Sequence, residues 1–322
     1  MATAEQVKAL IRSYLNKNDE KFITTALQVA AHEARKGHTE LANDIRLLVD
    51  KAKSKQKVVV SFPDGLNGLV FSENPEVPLS ALVLSENLKA RIERIIIEFC
   101  QQNKLKKHGL THRRKILLSG APGTGKTMTA RVLSTELKQP LHMVQMDRLV
   151  TKFMGETSAK LRQIFDRIQE VPGVYLFDEF DAIGGERSLG NDVGEMRRVL
   201  NAFLQFIEND LSDNLILAAT NNIRLLDRAL FRRFDDVLHY NMPNKVECLQ
   251  LIANLLGTFS DNRFPLVKAA EVAAGLSHAE IDQACRDAIK SAILNNQKRV
   301  TFVSLKELLT ERHLVYGIRR ND

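Results

Sequence analysis

The chain has few cysteines. Cys100, Cys248 and Cys285 are far apart and not in metal-ligand spacing. They exclude a disulfide framework and a thiolate metal site, and they read as reduced thiols, mostly in the core. No apolar run approaches the ~18 residues of a membrane span. The opening "MATAEQVKALIRSYLNK" lacks the apolar stretch of a secretory signal. Internal repeats and low-complexity tracts are absent too. "HEARKGH" (32–38) falls short of a zinc-protease helix, because His32 and His38 are not at i, i+4 and Gly37 stands between them. Together these absences point to a cytoplasmic protein that does not enter a membrane.

What is present is globular in composition, with 44% hydrophobic and 26% charged residues. A chain of 322 residues exceeds one typical domain and can bury a sizeable core. The net charge of +7 permits nucleic acid as a partner without demanding it. Two basic runs, "KAKSKQK" and "KLKKHGLTHRRK", read as solvated helix ends and linkers.

Hydrophobic period divides the chain. Val7, Leu10, Ile11, Tyr14 and Leu15 recur on one helical face, as do Phe22, Ile23, Ala26, Leu27 and Ala30. Gly37 interrupts, and Thr39 is placed to cap a third helix carrying Leu41, Ile45 and Leu48. Residues 1–55 therefore predict a small three-helix docking domain, marginal by itself. Residues 56–80 read as a linker, with Pro63-Asp64-Gly65 as the turn of a small hairpin. From residue 81 helical segments alternate with short apolar runs at 115–120, 141–146, 174–180, 215–220 and 236–242. That alternation predicts an α/β fold with a parallel sheet and helices on both faces, through residue 242. Residues 243–322 read as a separate helical subdomain.

The motifs fall at the ends of these runs. "GAPGTGKT" (120–127) matches G-x-x-x-x-G-K-[ST] after a strand and before a helix. Gly120, Ala121, Pro122, Gly123, Thr124 and Gly125 would wrap phosphates with backbone N–H groups at a helix N-terminus. Lys126 would reach the β- and γ-phosphates, and Thr127 would hold Mg²⁺. The alternative is a glycine-rich turn, which the strand–loop–helix context disfavours. "VYLFDEFD" (174–181) ends a strand in acids: Asp178 suits Mg²⁺ and Glu179 suits activation of water. Read alone, these carboxylates would cap the next turn. "AATNN" (218–222) puts Asn221 where ligands bind in parallel sheets, although Asn-Asn is also an ordinary turn. Arg232 and Arg233 would by default be a solvent-exposed pair.

The ordered set "GAPGTGKT", "TKFMGETSAKLRQIFD", "VYLFDEFDAIGGER", "AATNNIRLLDRALFRRFDD" and "GLSHAEIDQACRDAI" resembles the AAA ATPases over roughly residues 80–300. It is most similar to the branch with spastin, katanin, the proteasomal ATPases and the membrane AAA proteases. The resemblance implies ATP and Mg²⁺ as cofactors, with Lys126 and Thr127 as the phosphate-loop pair. It makes Asp178 and Glu179 the Mg²⁺ and water-activating acids, and Asn221 a sensor. Arg232 and Arg233 become fingers reaching a neighbouring subunit, so a ring, usually a homo-hexamer, is expected. Met128, Ser277, Leu82 and Leu84 join the ATP site, the last two lining the adenine pocket. Arg228 replaces the proline the family often has in the finger stretch. Ile252 stands where a ribose-contacting histidine is common.

"TKFMGET" (151–157) places two apolar side chains among polar ones. In the family this segment projects into a central pore, so Lys152, Phe153, Met154 and Gly155 would grip an extended polypeptide. The alternative packs Phe153 and Met154 into the core. "GGERSLGNDVGEM" (184–196) would form a second, more mobile loop beside the same channel. No protease or nuclease motif accompanies the ATPase. The expected function is an ATP-hydrolysing ring that remodels, unfolds or threads protein. The alternatives are a regulator gating a separately encoded effector such as a protease or toxin, and a nucleic-acid-associated remodeller.

Overall fold

The computed structural model describes all residues except 1–3, 16–18, 56–65, 67, 153–155, 185–191, 224–225, 227, 262 and 318–322. The chain forms two compact units, Met1–Val59 and Val60–Asp322.

The first unit is three helices: α1 (Ala4–Leu15), α2 (Asp19–Arg35) and α3 (Thr39–Lys55). Its core is made of small residues. Ala26, Val29 and Ala30 of α2 are buried with Ala42 and Val49 of α3. This corrects the expected stripe, because Leu41 and Leu48 face outward with Leu47, and Ile11 of α1 does the same. Small side chains let two helices approach closely, and the bulky ones are left on the outer face. Thr39 is the first helical residue of α3 rather than its cap; the His38 carbonyl accepts from Ala42 N–H at 3.1 Å. His38 Nδ1 lies 2.6 Å from the buried Glu33 carboxylate, so this histidine is committed to a hydrogen bond within the unit.

The second unit holds a six-stranded sheet of β1 (Val70–Glu73), β2 (Lys115–Gly120), β3 (Leu141–Gln145), β4 (Val174–Asp178), β5 (Leu215–Thr220) and β6 (Asp236–Tyr240). The spatial order is β1-β3-β4-β5-β2-β6. All neighbours are parallel except β1, which pairs antiparallel with β3 from within the stretch expected as linker. The proposed hairpin turn at 63–65 lies outside the described residues.

Alternate strand residues feed two cores. Leu117, Tyr175, Phe177, Ile216 and Ala218 face one side, where α8 (Thr157–Glu170) and α10 (Asp192–Asn209) bury Leu161, Phe165, Phe203 and Ile207. Ile116, Leu118, Leu176, Leu217 and Ala219 face the other side. There α4 (Glu86–Cys100) and α6 (Lys126–Leu137) bury Leu88, Ile92, Ile95 and Leu133. Burial on both faces is why these strands read as unbroken apolar runs. After β6 the chain is helical: α12 (Lys245–Leu256), α13 (Leu266–Val272), α14 (His278–Leu294) and α15 (Phe302–Gly317), around a third core. Val83 joins that third core, whereas its neighbours Leu82 and Leu84 join the sheet core. Among the described residues no helix is long and apolar enough to cross a membrane.

Half of the six cations in the basic run 104–115 are held in internal ion pairs. Lys106 pairs with Asp213 at 2.6 Å, Arg113 with Glu98, and Arg114 with the buried Asp210.

Candidate active site

Parallel pairing places the C-terminal ends of β2, β3, β4, β5 and β6 along one edge. Register sets Gln145 beside Asp178, Ser119 beside Thr220 and Gly120 beside Tyr240. The β2 strand is where the order reverses, since β3 lies to one side of it and β6 to the other. Crevices at such points hold ligands in open α/β sheets.

The 120–127 loop is shaped by its glycines. A Cβ on Gly120 would stand 2.3 Å from the Tyr240 carbonyl oxygen, so only glycine lets β2 and β6 close here. Gly123 and Gly125 have φ of +74° and +101°, in the left-handed region that glycine occupies without strain. A Cβ on Gly125 would meet nothing within 4 Å, leaving open space of the kind a phosphate fills. The Lys126 ammonium donates to the loop's own carbonyls, Gly120 O at 2.7 Å and Ala121 O at 2.9 Å. Its burial lowers its pKa, while Asp178 and Asp181 act in the other direction. Thr124, fully buried, ties the loop by donating to Ala121 O at 2.7 Å. Thr127 Oγ1 donates to Asp178 Oδ2 at 3.2 Å. That pair of hard oxygen donors suits Mg²⁺, a cation that keeps most of its waters and takes only one or two protein ligands.

Beyond Asp178 the backbone turns sharply. Glu179 has φ +54°, uncommon for a residue with a side chain and a local strain often found at functional sites. The turn is fixed by Glu179 N–H donating to Asp178 Oδ1 at 2.9 Å and Phe180 N–H to Ala219 O at 2.8 Å. Phe180 is thereby buried while Glu179 stays exposed. Partial desolvation and the carboxylates of Asp147, Asp178 and Asp181 raise the Glu179 pKa. On the adjacent strand end, Asn221 N–H donates to Asp181 Oδ1 at 3.2 Å, and Asn222 N–H to Thr220 Oγ1 at 3.1 Å. The exposed Asn221 side chain thus sits beside the acidic turn.

The helical subdomain closes the other flank. Ala279 N–H donates to Gly123 O at 3.0 Å, and Ser277 Oγ would lie 2.7 Å from a Cβ on Gly123. Ser277 caps α14, with Glu280 reciprocating in a capping box. Leu82 and Leu84 are buried, and Met128 packs against the same core.

Arg232 and Arg233 follow α11 (Arg228–Phe231). Arg233 Nε pairs with Glu208 at 3.0 Å, whereas Arg232 is exposed and has no hydrogen bond or ion pair among the described residues. In "TKFMGET", Thr151 and Lys152 end α7 (Met146–Lys152), and Thr157 opens α8. Phe153, Met154 and Gly155 lie outside the described residues. So do residues 185–191 of the second glycine-rich stretch, whose remainder from Asp192 is already helical.

Four residues of this neighbourhood were not singled out by motif. Gln145 has a buried Oε1 without a hydrogen-bond partner among the described residues, and Asp147 and Asp181 add charge around Glu179. His278, next to Ser277, is the fourth. Their placement depends on strand register and helix docking, which no local pattern reports.

Comparison with known proteins agrees with this geometry. Residues 116–242 match the family described as "ATPase family associated with various cellular activities (AAA)". A protein of Sinorhizobium fredii, the uncharacterized AAA family ATPase y4kL, is 34% identical over 93% of this chain and 92% of its own length. The proteasome-activating nucleotidase of Saccharolobus islandicus is 29% identical over 78% of the chain and 65% of its own length. The ATP-dependent zinc metalloprotease FtsH of Helicobacter pylori is 30% identical over 74% of the chain but only 39% of its own length. With a strand–loop–helix phosphate cradle, an acid-tipped neighbouring strand, the family match over 116–242 and a relative 34% identical over 93% of its length, the chain belongs to the AAA family of ATPases.

Proposed function

We propose that this ATPase works as a ring, a homo-hexamer in keeping with its family, that remodels or threads protein substrates. One observation carries the reading: β3 ends in register with Asp178, and only α7 separates that end from Phe153. Seven helical residues span about 10 Å, so a change at the nucleotide reaches the apolar segment through one short rigid element. Lys152, Phe153, Met154 and Gly155 are assigned to the substrate grip. The relatives include a proteasome-activating nucleotidase and an ATP-dependent protease, which favours polypeptide as the substrate. Internal pairing of Lys106, Arg113 and Arg114 takes up half of the cations in the 104–115 run and weighs against nucleic acid.

In this reading the 120–125 backbone, Lys126 and Met128 hold ATP, with Leu82, Leu84 and Ser277 on the nucleoside side. Thr127 and Asp178 would hold Mg²⁺, which when bound would supply charge neutralisation for the phosphates. Glu179, its pKa raised, takes the proton of the attacking water, and Asn221 orients that water. Arg232, exposed and without an ion pair among the described residues, is assigned as the principal finger toward a neighbouring subunit, with Arg233 held back by Glu208.

Glu179→Gln should bind ATP normally and lose hydrolysis by about 10²-fold or more. In ATP, that variant should retain unfolded protein, recoverable and identifiable by mass spectrometry, and Phe153→Ala should release it. Retention of single-stranded DNA in place of protein, or remodelling undiminished in Phe153→Ala, would refute the substrate assignment.

A further inference from the structure

Tyr240 ends β6 with a buried hydroxyl to which the mechanism above gives no role. The ring belongs to the sheet core. Its hydroxyl donates to Thr129 Oγ1 at 2.8 Å. Thr129, fully buried in the first turn of α6, donates in its turn to Gly125 O at 3.1 Å. The Thr129 N–H donates to the same oxygen at 2.9 Å. Burial raises the pKa of the phenol, so it stays protonated and remains a donor. Because Thr129 Oγ1 accepts from the tyrosine, its own proton goes to Gly125. Phenylalanine and valine would fill these two positions with nearly the same volume. A matched apolar pair is about as stable as a buried pair of hydroxyls, so packing does not call for the two oxygens.

What the two hydroxyls hold is the peptide between Gly125 and Lys126. A trans peptide is planar, so its C=O and its N–H point in opposite directions. Gly125 O is turned into α6 and held there by two donors. Lys126 N–H is thereby turned out of the N-terminus of α6, among the unpaired donors that an anion meets at a helix start. Gly125, at φ +101°, has no side chain with which to hold this peptide itself. Tyr240 also meets the other end of the loop. Its backbone pairs with Gly120, and its carbonyl oxygen is what a Cβ on Gly120 would strike. One residue of β6 therefore holds both ends of the glycine loop, by backbone at Gly120 and through Thr129 at Gly125. We infer that Tyr240 and Thr129 are positioning residues for nucleotide binding: their hydroxyls, in series, fix the Gly125–Lys126 peptide so that its N–H is aimed at the phosphates. The inference rests on the phosphate-loop reading above. Both residues act through the backbone, and neither is itself a phosphate ligand.

Equilibrium binding of Mg·ADP and Mg·pyrophosphate to the full chain, beside thermal melts, tests it. Tyr240→Phe and Thr129→Val should each weaken both probes by about fivefold or more, the worth of one hydrogen bond. The two probes should fall alike, because the nucleoside is not involved. Each single variant should also lower the Tm, Thr129→Val the more, since it leaves the tyrosine hydroxyl buried without its acceptor. The double variant Tyr240→Phe/Thr129→Val removes both hydroxyls. It should regain most of the wild-type Tm while its affinity for both probes stays about fivefold or more below wild type. Thr129→Ser, which keeps the oxygen, should bind both probes within about twofold of wild type. Affinity that recovers together with Tm in the double variant would overturn the inference and mark the pair as packing alone. Undiminished affinity in the single variants, or a loss confined to ADP, would equally refute it. A wild-type chain that bound neither probe would overturn the phosphate-loop reading, and this inference with it.

Discussion

Gly120 and Gly125 belong to one loop and are glycines for different reasons, and substitution should separate them. At Gly120 an added Cβ meets backbone of β6, the Tyr240 carbonyl oxygen at 2.3 Å, and neither strand can yield without breaking its ladder. Gly120→Ala should therefore cost about 3 kcal/mol or more of stability, visible as a lowered Tm. At Gly125 there is room for a Cβ, but φ is +101° and the room is where a phosphate would lie. Gly125→Ala should fold, losing about 1 kcal/mol to the strained backbone, and should fail to bind ADP. Thermal melts beside ADP titrations distinguish the two; equal melts for both variants would contradict the assignment. The phosphate-loop motif announces both glycines as a pattern, but only the β2–β6 register reveals which one the fold needs.

At the scale of elements, the β1–β3 pair carries a pH dependence. His142 of β3 is fully buried, its Nδ1 lies 2.8 Å from Ser72 Oγ on β1, and its ring tilts against Tyr175 at 4.8 Å. Desolvation drives its pKa down to about 4, with Arg167 adding to the effect. The unfolded chain binds a proton near pH ~6.5, while the folded chain resists it until about 4. Stability therefore falls as pH drops through that window, by roughly 3 kcal/mol at most. Urea titrations at about pH 7.5 and about pH 5 should show His142→Asn losing roughly 2 kcal/mol less than wild type over that interval. Identical losses would remove His142 as the cause. This edge also marks where sequence reading stops. The five parallel strands are legible because they are dominated by apolar residues, as burial on both faces of the central ones requires. Val70–Glu73 escapes, being four residues long with Phe71 and Ser72 exposed. The helix α7 escapes because seven residues give hardly two turns of periodicity. In α3, period locates the helix but not its inward face, because Ala42 and Val49 rather than the leucines meet α2.

At the scale of the whole molecule, the site reads as half of one. Lys126, Thr127, Asp178, Glu179 and Asn221 converge on one strand-end edge, but the exposed Arg232 has no hydrogen bond or ion pair among the described residues. A surface cation with no partner contributes little to a monomer's stability. In the proposed ring of head-to-tail contacts, the same side chain would fall on the next subunit's crevice, because such an interface joins two different faces. Glu179→Gln and Arg232→Ala should each be inactive alone, the first for lack of a base and the second for lack of a finger. Mixed subunits should nevertheless recover activity. An interface pairing the Arg232→Ala crevice, with its intact Glu179, against an Arg232 from a Glu179→Gln neighbour contains every group. Random assembly at equal amounts makes about a quarter of interfaces complete in that way. ATP turnover after mixing should rise to about that fraction of wild type, with subunit exchange setting how fast it appears. Turnover that stays at the level of the separate variants, in rings shown to have exchanged subunits, would mean that Arg232 serves its own chain and that the ring is not needed to complete the site.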